Sequence, residues 1–147
     1  MTYKEMQREA ALYLSRYQVA KAEVKDIQHR IERAKSEMMS IKGISYEGGD
    51  MPKAHNTEHD LSDYFVRIDD LLHDWKAAQK KAITIMCEVS ATIEAVDYDQ
   101  ARRVLMLHFI DNYTYEEIAE IMDRSVESVH RWRRIGLSKI IINPDSL

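Results

Sequence analysis

The sequence predicts an all-α chain in which a long antiparallel helical hairpin, coiled-coil-like, precedes a C-terminal helix-turn-helix. Three observations predict it. Apolar residues recur at helical spacing along most of the 147 residues. No stretch shows strand-like alternation of useful length. Three of the four glycines and one of the two prolines fall in a single window, "KGISYEGGDMPKAHNTEHD", with a helical pattern on either side. The expected division is a hairpin over residues 1–96, with a connector at about 43–60, and a helix-turn-helix unit over 97–147.

The first helical pattern places Tyr3, Met6, Ala10, Tyr13, Tyr17, Ala20, Val24, Ile27, Ile31, Ala34, Met38 and Ile41 at steps that alternate four and three. That is a heptad stripe, the pattern of a helix that packs along a left-handed seam. At 1.5 Å per residue it predicts a helix roughly 60 Å long. The connector follows, because Gly43, Gly48, Gly49 and Pro52 break both helix and strand. Beyond it Leu61, Phe65, Ile68, Leu72, Trp75, Gln79, Ala82, Met86, Val89, Ile93 and Val96 restore the stripe, with Thr57 or Asp60 as a candidate cap. Two such helices form a hairpin most simply; the alternative is that each pairs with a second copy of the chain. A two-helix hairpin leaves apolar surface uncovered, which predicts either oligomerisation or packing against the C-terminal unit.

Asp97 and Asp99 interrupt the stripe. "QARRVLMLHFI" follows, and its apolar residues cover nearly the whole circumference, so this helix is expected to be buried on more than one side. In "YTYEEIAEIMDRSVESVHRWRRIGLSKI", Thr114 and Glu117 have the spacing of a capping box. A second helix start lies at Ser125. Two starts so close together require a turn at Asp123–Arg124, where aspartate tolerates a left-handed backbone better than most residues. Ile118, Ala119 and Met122 then face Val126, Val129 and Trp132, with Gly136 allowing a further close approach and Leu137 and Ile140 continuing the core. Pro144 is expected to close the last helix.

Composition excludes several function classes. Charged residues are 31% and apolar ones 45%, and no run approaches the ~18 apolar residues of a spanning helix. No secretory pattern opens the sequence, and the lone Cys87 is expected to be a buried, reduced thiol. These features predict a cytoplasmic protein with no membrane contact. His55 and His59 sit four apart in the connector without a cysteine nearby, so no metal site is expected. "YEGGD" lacks the spacing and lysine of a phosphate loop. No catalytic residue and no cofactor is expected.

The net charge is -4, yet Arg124 to Lys139 holds five basic residues (Arg124, Arg131, Arg133, Arg134, Lys139) against one acid, Glu127. With Val129 and Trp132 inward, Glu127, Ser128, His130, Arg131 and Arg134 point outward near the N-terminal half of the second helix. That is where such helices enter the major groove, and arginine can pair bidentately with guanine there. The outward set predicts binding to double-stranded DNA.

"ARRVLMLHFIDNYTYEEIAEIMDRSVESVHRWRRIGLSKI" resembles region 4 of sigma factors over about residues 100–141. With its N-terminal helices the whole chain resembles the small phage-encoded transcriptional regulators of the RinA/ArpU type, which are associated with late-gene activation. The resemblance implies base reading by Glu127, Ser128, His130 and Arg131, and phosphate contacts by Arg124, Arg133, Arg134 and Lys139. It implies work with host RNA polymerase in a bacterial cell, with the N-terminal helices serving assembly or polymerase contact. Trp132 departs from the aliphatic residue usual at its position and reads as core. No counterpart of sigma region 2 is found, which favours an activator over a complete sigma factor. Two alternatives stay open: a phage DNA-packaging subunit like the small terminases, and an adaptor that binds polymerase or sigma without touching DNA.

Overall fold

The computed structural model describes the backbone of residues 1–47 and 54–146, and the side chains of residues 1–41 and 61–146. Among the described residues every regular element is helical: α1 (Tyr3–Leu14), α2 (Arg16–Glu47), α3 (Ala54–Glu94), α4 (Asp99–Leu105), α5 (Tyr115–Met122) and α6 (Val126–Ser138). A π-helical turn, Met106–Ile110, continues α4, and a 3-10 turn, Pro144–Ser146, follows α6. The chain falls into two compact units, one made of residues 1–21 with 81–147 and the other of residues 22–80.

In the unit of residues 22–80, α2 and α3 run antiparallel. Ile27 and Ile31 pack with Ala78, and Val24, Leu71, Leu72 and Trp75 close around them. Further along, the Tyr64 hydroxyl donates to Glu37 at 3.1 Å, so rising numbers on α2 meet falling numbers on α3. The buried line on α3 includes Ile68, Ala78, Ala82, Ile85 and Val89. At two positions it therefore uses the residue before the expected one, Ala78 for Gln79 and Ile85 for Met86. A straight α-helix drifts about 20° per heptad from a strict seven-residue stripe, and such a drift moves the seam onto the neighbouring side chain. Phe65, an expected seam residue, is 56% exposed.

Helical backbone reaches through Gly43 to Glu47 and resumes at Ala54. The helices thus extend further into the glycine-rich window than the connector expected at about 43–60. Thr57 and Asp60 lie inside α3 rather than at its start; their side chains, with those of His55 and His59, are outside the described residues, as are Gly48, Gly49 and Pro52 altogether.

The other unit has a composition that the stripe does not announce. The expected single N-terminal helix is interrupted at Ser15, whose hydroxyl donates to the Ala11 carbonyl at 2.7 Å, a side-chain bond of the kind that bends helices. α1 before this break starts on a capping box made by Thr2 and Glu5. It packs against α6, one of the two outcomes expected for the apolar surface that a two-helix hairpin leaves uncovered. Ala10, Tyr13 and Leu14 are buried, while Tyr3 and Met6 of the expected stripe are exposed. Two long-range hydrogen bonds tie α1 down. The Gln7 amide donates to the Arg134 carbonyl at 3.2 Å, and the Tyr13 hydroxyl lies 2.7 Å from Ser146 Oγ, which itself donates to Asn143. Gln18 on α2 donates to the Phe109 carbonyl at 2.9 Å, satisfying a group that the π turn leaves near the end of its helix.

Val89, Ile93 and Val96 from the end of α3 join Val104, Leu105, Ile118 and Val129 in the fully buried set. Between Ala101 and Ile110 only Arg103 is exposed, in keeping with a helix enclosed on several sides. Cys87 is exposed, contrary to expectation. With the seam on Ile85 and Val89, the residue midway between them turns outward.

Candidate nucleic-acid interface

α5 begins where two residues cap each other. The Glu117 amide donates to Thr114 Oγ1 at 3.2 Å and the Thr114 amide donates to the Glu117 carboxylate at 3.3 Å. α5 ends at Asp123, which adopts the left-handed conformation with φ 53° and ψ 50°. The Arg124 amide then closes on the Ala119 carbonyl at 2.9 Å, the six-residue ring of a Schellman turn. Ser125 caps the next helix by accepting from the Ser128 amide at 3.2 Å. These local bonds make the chain turn within three residues, so α6 crosses α5 closely, with Ile118, Ala119, Val129 and Trp132 buried at the crossing.

On its other side α6 meets α4. A Cβ on Gly136 would stand 2.8 Å from Leu105 Cδ1 and 3.3 Å from the Ala101 Cβ. The absence of a side chain at Gly136 therefore sets how deeply α6 sits. Trp132 is 7% exposed, a core residue despite its place among arginines.

The outward surface of α6 carries Glu127, Arg131 and Arg134, all exposed; Ser128 and His130 are half-buried at its edges. Glu127 and Arg131 have the i, i+4 spacing of a helix ion pair, yet no such pair forms. Among the described residues, none of Arg124, Arg131, Arg133 and Arg134 has a carboxylate at ion-pair distance. The Arg131 guanidinium lies 6.0 Å from the Trp132 ring centroid.

The expected site residues are not equally free. Arg124 is exposed on the turn, at an open cleft shared with Glu116, Glu120 and Asp123. Lys139 binds the Asp97 carboxylate at 2.9 Å. That hydrogen bond, and then the lysine's charge, hold the Asp97 carboxyl below its usual range. Arg133 is half-buried and donates from Nε to the Tyr115 hydroxyl at 2.6 Å. The His130 ring lies tilted to that of Tyr115, 4.9 Å away. Tyr115 also stacks on His108 at 4.3 Å. The Nδ1 of His108 faces the Tyr113 carbonyl at 2.8 Å. A carbonyl can only accept, so that nitrogen carries the proton.

Sequence reasoning did not single out Tyr115, His108 or Gln7. Nothing local distinguishes them, since each acts on a residue brought near only by the crossing of helices. Among the described residues no group of three or more His, Cys, Asp or Glu is placed to hold a metal ion, and no helix is long and apolar enough to cross a membrane.

Helices α4 to α6 thus form a helix-turn-helix with a cationic recognition helix. Residues 99–140 match the Sigma-70, region 4 family, and this part of the chain is similar to that DNA-binding, sigma-related regulatory domain. The match spans less than a third of the chain. Comparison with curated proteins and with solved structures gives no match.

Proposed function

We propose that the protein is a sequence-specific DNA-binding transcriptional regulator, a phage late-gene activator that works with host RNA polymerase. The observation that carries this reading is the run of four arginines from Arg124 to Arg134 with no neutralising carboxylate, on and beside a capped recognition helix. A DNA backbone supplies the anionic partners that these arginines lack within the chain. Glu127, Ser128, His130 and Arg131 read base edges in the major groove, with Arg131 the strongest of them because it is exposed and unpaired. Arg124, Arg133 and Arg134 contact phosphates. Lys139 joins them once it leaves Asp97.

In this reading the unit of residues 22–80 provides assembly or polymerase contact, and the similarity of residues 99–140 to Sigma-70 region 4 supports the link to polymerase. Protection of DNA from the encoding genome, with and without RNA polymerase, tests it. A discrete protected site that strengthens with polymerase is expected. Uniform weak protection would remove the sequence-specific part of the proposal.

A further inference from the structure

Arg133 differs from the other arginines of α6 in being held. Its guanidinium carries five N–H donors; the one on Nε goes to the Tyr115 hydroxyl at 2.6 Å, and its carbon lies 5.5 Å from the Tyr115 ring centroid. The donors on Nη1 and Nη2 meet no acceptor among the described residues, and neither nitrogen is enclosed. They open onto solvent. The ring that holds the guanidinium is itself in contact with two histidines, His108 stacked on it at 4.3 Å and His130 tilted to it at 4.9 Å.

The chemical choice of anchor matters. Lys139 and Arg16 are fixed by carboxylates, Asp97 at 2.9 Å and Glu88 at 3.2 Å, which orient the cation and cancel its charge together. A phenol orients without cancelling. Burial pushes the Tyr115 hydroxyl's pKa up, against the pull of Arg133, so the phenol stays neutral. The result is a cation of fixed position and full charge, with a pair of outward nitrogens suited to the two free oxygens of a phosphodiester.

We propose that Tyr115 is a positioning residue for DNA: its hydroxyl and ring hold Arg133 so that the two terminal nitrogens grip one backbone phosphate beside the recognition helix. This rests on the DNA-binding reading given above. Fixing the side chain beforehand removes part of the ordering cost that a free arginine meets on binding.

The test is binding of the full chain to a short mixed-sequence DNA duplex over a range of salt, for the wild type, Tyr115→Phe, Arg133→Gln and the double variant. Phenylalanine keeps the ring stack and removes only the hydroxyl. Arg133→Gln is expected to weaken binding about tenfold at low salt and to lower the log–log salt slope by about 0.9, one phosphate's worth. Tyr115→Phe is expected to weaken binding about threefold to fivefold, the scale of one hydrogen bond, and to reduce the slope in part. It should add nothing in the Arg133→Gln background. Wild-type affinity and slope in both single variants would overturn the proposal while leaving the DNA reading intact. So would a Tyr115→Phe loss that is equally large without Arg133, since the tyrosine would then act independently. Absence of salt-dependent binding by the wild type would overturn the DNA reading, and this proposal with it.

Discussion

Gly136 of α6 lies so close to Leu105 of α4 that a Cβ on the glycine would stand 2.8 Å from the leucine's Cδ1. Leu105 is fully buried and Ala101 stands just behind, so neither can move aside cheaply. Gly136→Ala gains about 1 kcal/mol of helix propensity, which offsets part of the clash. Gly136→Val adds bulk without that gain and is expected to cost about 2–3 kcal/mol of stability through overpacking. A shift of the urea midpoint at unchanged slope measures it.

Leu14 is fully buried although it lies on an N-terminal helix, and Ala10 and Tyr13 beside it are nearly so. Because α1 packs on α6, Leu14→Ala is expected to cost about 2–5 kcal/mol. The loss should appear in the protection of α6 amides from hydrogen exchange. An α6 as well protected as in the wild type would show that α1 is dispensable to the helix-turn-helix.

Arg131 is exposed and unpaired at the centre of the outward face of α6. Arg131→Ala is expected to weaken binding to the preferred site by about 1–3 kcal/mol and to relax base preference there. Binding to mixed-sequence DNA should fall much less. Selection of preferred sites from a random duplex pool, wild type against variant, checks both.

Asp97 and Lys139 make a pair whose pH dependence has a definite sign. Lys139 lowers the Asp97 pKa in the folded chain. The pair therefore favours the folded state above the ordinary carboxylate range, and that contribution is lost as pH falls through the lowered value. The carboxyl resonance of Asp97 should titrate at lower pH than it does in the Lys139→Met variant. Asp97→Asn should release Lys139 and strengthen DNA binding about twofold to threefold at low salt, the weight of one exposed phosphate contact. Unchanged binding would remove Lys139 from the phosphate contacts.

What the sequence revealed and what it withheld divide along physical lines. The Thr114–Glu117 box, the left-handed Asp123, the Ser125 cap and the inward Trp132 were all legible, because each depends on residues within a few positions of one another. The partner of the N-terminal stripe was legible only as one of two alternatives, a second copy or the C-terminal unit, and the particular helix, α6, was not. A heptad pattern says that a face is apolar but not which neighbour covers it, and Leu14, the most buried residue of α1, lies off the stripe. Cys87 was misplaced for a related reason: one residue is about 100° of helix, so a seam that shifts from Met86 to Ile85 changes what is buried beside it. The contact between Tyr115 and Arg133 spans 18 positions and exists only because α6 crosses α5.

The central claim is that α6 delivers unneutralised arginines to DNA, and equilibrium binding of the full chain to DNA of its own genome at several salt concentrations tests it most directly. Three or four phosphate contacts predict a linear log–log fall with a slope of about -2.7 to -3.6. Binding that is absent, or that does not change with salt, would contradict the account.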